Sequence, residues 1–149
     1  MQLKHHSWKQ EYADDINRFV KAHEQMYDTA LSELTDGRKE SHWMWYTFPQ
    51  LRGLGRTYNA DYYGISDLTE AEAYLENDLL NDHMRTLLSI LLDSDECDAT
   101  WIFGYLDALK LRSSMTLFDA VSPDDIFSDV LQKFFDGQRD EKTLAMLDL

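Results

Sequence analysis

The chain has 149 residues, 44% of them apolar and 13% aromatic, which is enough for one domain with a buried core. Its formal charge of −14 argues against nonspecific binding to nucleic acids or anionic membranes, because a field of that sign repels polyanions. A single cysteine excludes an internal disulfide, and no apolar run reaches the length of a secretory signal or a membrane span. We therefore expect a cytoplasmic protein.

The first predicted element is a long amphipathic helix. Apolar residues recur at three- and four-residue spacing from Ile16 to Leu34, and Gly37 follows where a left-handed C-cap belongs. The next segment, residues 38–65, holds three of the six glycines and shows neither helical nor strand periodicity. It predicts an irregular loop rich in aromatic residues, arginine and glycine.

Further helices follow this loop along the chain. Thr69 with Glu72 resembles a capping box, and Ser122 followed by Pro123 is a helix start signal. No turn of hairpin type separates alternating apolar runs. The sequence therefore predicts an all-α fold, a compact single domain of six or seven helices over residues 12–149, preceded by a flexible N-terminal extension over residues 1–11.

Charge is distributed unevenly along the chain. Only residues 38–64, at +2, and residues 104–118, at +1, carry a positive balance. This pattern is expected if the two segments converge on one pocket that accepts negative charge. The alternative is that their basic side chains pair with the acidic helices of the protein itself.

The loop supplies the first set of candidate ligand-binding residues. Arg52 and Arg56 present planar guanidinium groups suited to carboxylate or phosphate. Gly53 and Gly55 allow the backbone to pass closely around a ligand or a neighbouring helix. We include Gln50 in the same set, and bridging of the arginines to acidic residues remains the alternative.

Aromatic residues are dense in the same loop. Trp45 or Tyr46 could stack on a base or another flat ligand, and His42 beside them could transfer a proton near neutral pH. The alternative interpretation for aromatic residues at this spacing is a place in the core, and we favour it for Trp43 and Phe48.

A later helix supplies the second set of candidates. Asp107, Lys110 and Ser114 share a helical face, so a ligand could contact all three, and a Ser–Lys nucleophile is conceivable. Ser113 belongs to the same candidate site. Both serines could instead bond to the carbonyl groups four residues earlier. No cysteine or paired-histidine spacing supports a metal site.

Several motifs together resemble a known family. They are Ser41–Trp45, Phe48–Arg56, Tyr63–Ile65, Ile102–Gly104 and Lys110–Phe118. On these motifs the chain is similar to the bacterial family called domain of unknown function 1810, whose members are sometimes labelled calpastatin, a label that nothing in the sequence supports. The resemblance implies a compact helical fold without an assigned reaction or cofactor, and a distant association with NADAR-type domains of NAD and ADP-ribose metabolism. His23 departs from the family pattern, because it stands where glutamine is common.

Two functional hypotheses follow. In the first, the protein binds a small anionic, nucleotide-like or ADP-ribose-like ligand between the loop at 42–56 and the helix at 107–118, with hydrolysis or group transfer left open. In the second, the protein is a non-enzymatic interaction module whose aromatic loop binds a peptide or protein. The first predicts a concave basic pocket, and the second an exposed apolar patch around Trp45 and Tyr46.

Overall fold

The computed structural model describes residues 16–149 and confirms the all-α fold class. The predicted N-terminal extension lies outside the described residues. None of the described helices combines the length and the hydropathy needed to cross a membrane. The helices are α1 (Asn17–Thr35), α2 (Met44–Thr47), α3 (Tyr58–Tyr62), α4 (Leu68–Glu76), α5 (Asp78–Asp93), α6 (Ala99–Phe103), α7 (Tyr105–Val121), α8 (Ile126–Phe135) and α9 (Glu141–Met146).

The described chain contains nine helices, more than the six or seven predicted. The additional ones are α2 and α3, of four and five residues, inside the loop expected to be irregular. Helices this short do not complete two turns, so they leave no periodic pattern in the sequence. α3 begins at a local signal, because the hydroxyl of Thr57 accepts a hydrogen bond from the backbone N–H of Ala60.

Two helix starts differ from the predicted ones. The carboxylate of Asp67 caps α4 by accepting from the N–H of Glu70, so the capping box expected at Thr69 does not form. α8 begins after Asp125, and Ser122 instead donates its hydroxyl to the Asp125 carboxylate over 2.7 Å. In both cases an aspartate near the predicted cap takes its place, which is consistent with the similar N-cap preference of Asp and Ser.

Helix α7 lies at the centre of the fold. It packs against α4, α6, α8 and α9, while α1 packs against α5. Every residue from Ser113 to Asp119 is buried, so α7 has no continuous solvent-exposed face in its second half. The largest side chains in the surrounding core are Trp43, Tyr74, Phe19, Phe48, Phe118 and Phe127.

The loop between α1 and α4 is closed at its base. Leu51 and Ile65 form an isolated parallel bridge, in which the N–H of Arg52 donates to Ile65 and the N–H of Ile65 donates to Gln50. A side chain at Gly64 would place its Cβ 2.6 Å from the Cα of Arg52, so the close approach requires glycine. Residues 52–64 therefore form a lobe whose two ends meet at the bridge, with Leu54 and Tyr63 packed against the core.

A buried ion pair holds this loop against α1 and α4. Nη1 of Arg18 donates to Glu70 over 3.0 Å, and both side chains are almost completely buried. The same guanidinium donates to the carbonyl oxygen of Tyr62 over 2.7 Å and to that of Gly64 over 3.0 Å. One side chain of α1 thus fixes the returning end of the loop.

Candidate functional site

An open groove of about 980 Å³ lies along one side of α7. Its walls come from the loop at residues 50–60, from the first half of α7 and from the segment at residues 138–144 that contains the start of α9. The two positively charged segments singled out in the sequence therefore meet at this groove, although they are distant along the chain. Its lining includes five of the predicted site residues: Gln50, Gly55, Arg56, Lys110 and Ser113.

The groove is cationic on a strongly acidic protein. Its lining contains five basic side chains against two acidic ones, whereas the whole chain has a formal charge of −14. Like charges placed together repel one another, so a set of this kind favours an anionic ligand. The basic residues are Arg56, Lys110, Arg112, Arg139 and Lys142, and the acidic ones are Asp140 and Glu141.

Some of these basic groups are neutralised within the protein. Arg139 pairs with Asp119 at 2.8 Å, and Lys110 pairs with Asp107 at 3.3 Å. Arg112 approaches Asp140 only to 3.9 Å. The alternative prediction, that the basic residues pair with the protein's own acids, therefore holds for Arg139 and Lys110 but not for every basic residue of the groove.

Other basic groups in the groove retain their capacity to bind an anion. Arg56 and Lys142 are exposed, and neither makes an ion pair with any residue in 16–149. Nε of Arg112 is buried and has no hydrogen-bond partner. A buried donor without a partner costs free energy that a ligand oxygen could recover.

Asp107 lies on α7 but outside the groove lining, and it connects α7 to the start of the loop. Its carboxylate lies 2.8 Å from Nζ of Lys39 and 3.3 Å from Nζ of Lys110. Nζ of Lys110 also lies 5.4 Å from the ring centroid of Trp45, at cation–π distance. Trp45 and Asp107 therefore position Lys110 from outside the groove.

The remaining aromatic candidates also lie elsewhere. Tyr46 is buried, with its ring centroid 5.0 Å from that of Tyr63. Burial, followed by the effect of Tyr63, raises the pKa of Tyr46 to about 12. His42 is exposed, and its ring lies 6.5 Å from that of Trp45. Trp43 and Phe48 are in the core, as the alternative interpretation predicts.

Three further candidates serve the loop or α7 rather than the groove. Arg52 donates from Nε to the carbonyl oxygen of Asp61 over 2.9 Å, which holds the two ends of the loop together. Gly53 has φ +105°, a conformation that favours glycine, and a Cβ there would lie 3.3 Å from Met146. Ser114 is completely buried, and its Oγ has no hydrogen-bond partner.

Ser113 bonds within its own helix. Its hydroxyl donates to the carbonyl oxygen of Leu109 over 3.2 Å, four residues earlier, as the alternative interpretation of these serines predicts. With Ser114 buried and Ser113 engaged, neither hydroxyl is activated by a neighbouring base in the described groove. The described arrangement therefore does not provide the activated serine that a Ser–Lys nucleophile requires.

The start of the loop depends on Glu33, which the sequence reasoning did not single out. Its carboxylate accepts hydrogen bonds from the N–H groups of Glu40 and Ser41 and from Nε1 of Trp43, all between 2.8 and 2.9 Å. Burial alone would raise its pKa, but these hydrogen bonds, with that from the Ser41 hydroxyl, lower the pKa to about 2. A lone glutamate in a periodic helix gives no sequence signal of this role.

Among the groove residues that sequence reasoning missed, which also include Arg112, are Arg139 and Lys142. They lie in the C-terminal stretch, where acidic residues outnumber basic ones and the segment balance is negative. A charge count over a whole segment hides basic side chains that project to one side. The available sequence signal for these two basic residues was their position on either side of Asp140, which caps α9.

The fold and the groove define an acidic all-helical domain with a cationic groove lined by residues between 50 and 144. Residues 13–147 match the family model described as "Protein of unknown function (DUF1810)", and the chain belongs to this family. It is similar to the crystal structure of the conserved hypothetical protein Rv1873 from Mycobacterium tuberculosis, with 43% identity and a TM-score of 0.87. That match covers 91% of this chain and 97% of the other. No curated protein matches the chain.

Proposed function

We propose that the protein binds a small anionic ligand, nucleotide-like or ADP-ribose-like, in the groove between the loop and α7. The observation that carries this proposal is the set of five basic side chains against two acidic ones in the groove of an otherwise acidic protein. Arg56 and Lys142 supply charge that no described ion pair neutralises. Phosphate groups suit such a site, because a guanidinium binds their oxygens in a bidentate manner.

The groove also has an apolar component. Leu54, Leu106, Leu109 and Leu144 contribute to its lining. An anion that carries an organic portion would place its charge against the basic residues and cover part of this apolar surface. In this proposal a base or sugar contacts leucines, since Trp45 and Tyr46, the predicted stacking residues, are not in the groove lining.

The proposal is limited to binding. Among the predicted catalytic residues, Ser114 is buried and His42 lies outside the groove lining, while Lys110 is paired with Asp107. The arrangement provides positive charge for an anion but supports no assigned nucleophile or general base.

A thermal-shift panel tests the proposal. Phosphate, pyrophosphate, AMP, NAD and ADP-ribose are added to the wild-type chain, and a ligand at about a hundred times its Kd should stabilise it by roughly 2.7 kcal/mol. The double variant Arg56→Glu and Lys142→Glu should lose this stabilisation. Lys21→Glu is the matched control, because Lys21 is an exposed lysine on α1 that does not line the groove.

Two results would overturn the proposal. Unchanged melting temperatures across the whole panel would show that the groove does not bind these anions. A loss of stabilisation in Lys21→Glu about half that in the double variant, in proportion to the one and two charges reversed, would show that the effect follows net charge rather than the groove.

A further inference from the structure

Exposed apolar side chains are concentrated beside the groove. Seven large apolar residues are exposed in the described chain, and four of them lie between residues 101 and 109. Exposed apolar residues scattered singly are ordinary, but a contiguous group of this kind is typical of an interaction surface. The four, which we call the α6–α7 apolar surface, are Trp101, Tyr105, Leu106 and Leu109.

The local structure explains why these side chains face solvent. α6 turns its Ile102 and Phe103 into the core, which leaves Trp101 outside with 61% of its surface exposed. Gly104, at φ +83°, then separates α6 from α7. Tyr105 and Leu109 are four residues apart, so they lie on one face of the first turns of α7.

The surface continues into the cationic groove. Leu106 and Leu109 belong both to the α6–α7 apolar surface and to the groove lining. At its other end, the guanidinium carbon of Arg38 lies 5.6 Å from the ring centroid of Trp101. Apolar side chains are therefore flanked by positive charge on two sides.

Acidic residues near the surface cancel part of this positive charge. Asp107, in the first turn of α7, pairs with both Lys39 and Lys110. Asp98 caps α6 through the N–H of Thr100, so its carboxylate is engaged with a helix N-terminus. Arg38 and Arg56 are exposed and make no ion pair with any residue in 16–149, so these two groups are available to a partner.

We propose that the α6–α7 apolar surface is a docking site for an acidic peptide segment of another protein. The apolar side chains of the segment would cover Trp101, Tyr105 and Leu106, and its carboxylates would face Arg38 and the basic edge of the groove. Charge complementarity selects this partner, because Arg38 lies at one end of the surface and the cationic groove at the other, while the chain as a whole is strongly negative. A second copy of this chain, at −14, would be repelled over most of its surface.

Fluorescence anisotropy with a labelled peptide tests this proposal. The peptide has about twelve residues in which Asp and Glu alternate with Leu and Phe, so that it carries both apolar anchors and negative charge. The double variant Trp101→Ser and Tyr105→Ser should bind it at least about tenfold more weakly than wild type. Tyr58→Ser is the matched control, since Tyr58 is 69% exposed and Tyr105 68%, but Tyr58 lies on α3.

Two control peptides separate the apolar contribution to binding from the electrostatic one. Replacing Leu and Phe by Ser should weaken binding, because the apolar anchors are lost, and replacing the acids by Lys should abolish it. Affinity should also fall with added salt, as expected for a charge-assisted contact. Because Trp101 and Tyr105 are both exposed, the double variant should keep the melting temperature of the wild type.

The outcome is independent of the small-anion proposal. Pyrophosphate should stabilise the Trp101→Ser and Tyr105→Ser variant as it does the wild type, so failure of one proposal leaves the other standing. Absence of peptide binding, or equal binding by wild type and double variant, would overturn the docking site. Self-association of the wild type that disappears in the double variant would assign the surface to a second copy and would also overturn it.

Discussion

Nδ1 of His23 on α1 lies 3.2 Å from Nδ1 of His83 on α5, so one ring donates a hydrogen bond and the other accepts it. Nε2 of His23 is 2.8 Å from the carbonyl oxygen of Tyr46, which can only accept. The network therefore assigns the proton of neutral His23 to Nε2, leaves its Nδ1 as the acceptor and makes His83 the donor. Protonation of His23 at Nδ1 would place two N–H groups against each other.

Acid should destabilise the protein through His23. Burial lowers its pKa, the Tyr46 carbonyl opposes that shift, and His83 lowers it further, to about 4 from the ordinary 6.5. Below pH 6.5 the unfolded chain binds a proton that the native chain excludes. The free energy of unfolding should thus fall by up to about 3 kcal/mol as the pH drops from the ordinary pKa to the native one.

Urea unfolding at about pH 7 and at about pH 4.5 measures this loss. The control variant is His23→Gln, whose side-chain amide can still donate to the Tyr46 carbonyl oxygen but does not titrate. It should show a smaller pH dependence than wild type, with other groups contributing equally to both. Identical pH dependence of the free energy of unfolding in the two proteins would show that His23 is not the cause of the acid destabilisation.

The Arg18–Glu70 pair should contribute strongly to stability because it is buried. Glu70→Ala leaves a buried guanidinium without its carboxylate and should cost about 3–5 kcal/mol in the free energy of unfolding. Asp61→Ala is the control, since its carboxylate is exposed and lies 3.9 Å from Nε of Arg52. It should cost less than about 1 kcal/mol. Equal costs in chemical denaturation would refute this argument.

Ser114 should not be needed for stability, although it lies in the Lys110–Phe118 motif of the sequence. Its Oγ is buried without a partner, so Ser114→Ala removes an unsatisfied group and should change stability by no more than about 1 kcal/mol, in the stabilising direction. Thr116→Val is the matched control, because the buried hydroxyl of Thr116 donates to Arg112 and accepts from Asp140. It should cost about 1–3 kcal/mol.

The same two variants bear on the earlier idea of a serine nucleophile. Ser114→Ala should leave anion-induced stabilisation in the thermal-shift assay unchanged. If it abolished that stabilisation, the hydroxyl would have to reach the groove, contrary to its complete burial.

Gly55 should control the shape of the groove. A Cβ at this position would lie 2.5 Å from Cβ of Ala60 on α3, closer than side-chain carbons approach one another. Gly55→Ala should therefore displace α3, lower the melting temperature and weaken anion binding. Adding Ala60→Gly removes the opposing methyl group and should restore both. Calorimetric titration measures the binding, and a lack of rescue would show that the effect is not steric.

The long helices could be predicted from the sequence because their buried faces repeat regularly. α1 and α5 each bury apolar residues at three- and four-residue spacing, and Gly37 follows α1 in the positive-φ conformation that its position suggested. Helices α2 and α3 were not predictable in this way, since hydrogen bonds to side chains and packing against the core determine such short elements.

The site was predictable in its location but less so in its composition. Charge balance indicated the loop and α7, and the structure brings Arg56 and Lys110 to one groove. The sequence of α7 was interpreted as a helix with one buried face and one exposed face, which placed Ser114 on the exposed polar face. α7 is instead surrounded by other helices, and that face is buried. Trp45 and Tyr46 are not in the groove lining, and the sequence of a loop gives no signal of which way an aromatic ring points.

The bridge between Leu51 and Ile65 closes the base of the loop of residues 52–64, and Arg18 holds the returning end at the carbonyl groups of Tyr62 and Gly64. Changes of sequence between these fixed points do not shift the register of the helices before and after the loop. Under the proposed function, exchange of this one short lobe would change ligand preference while the helices stay in place. Grafting the lobe between relatives would test that consequence as a route to altered selectivity.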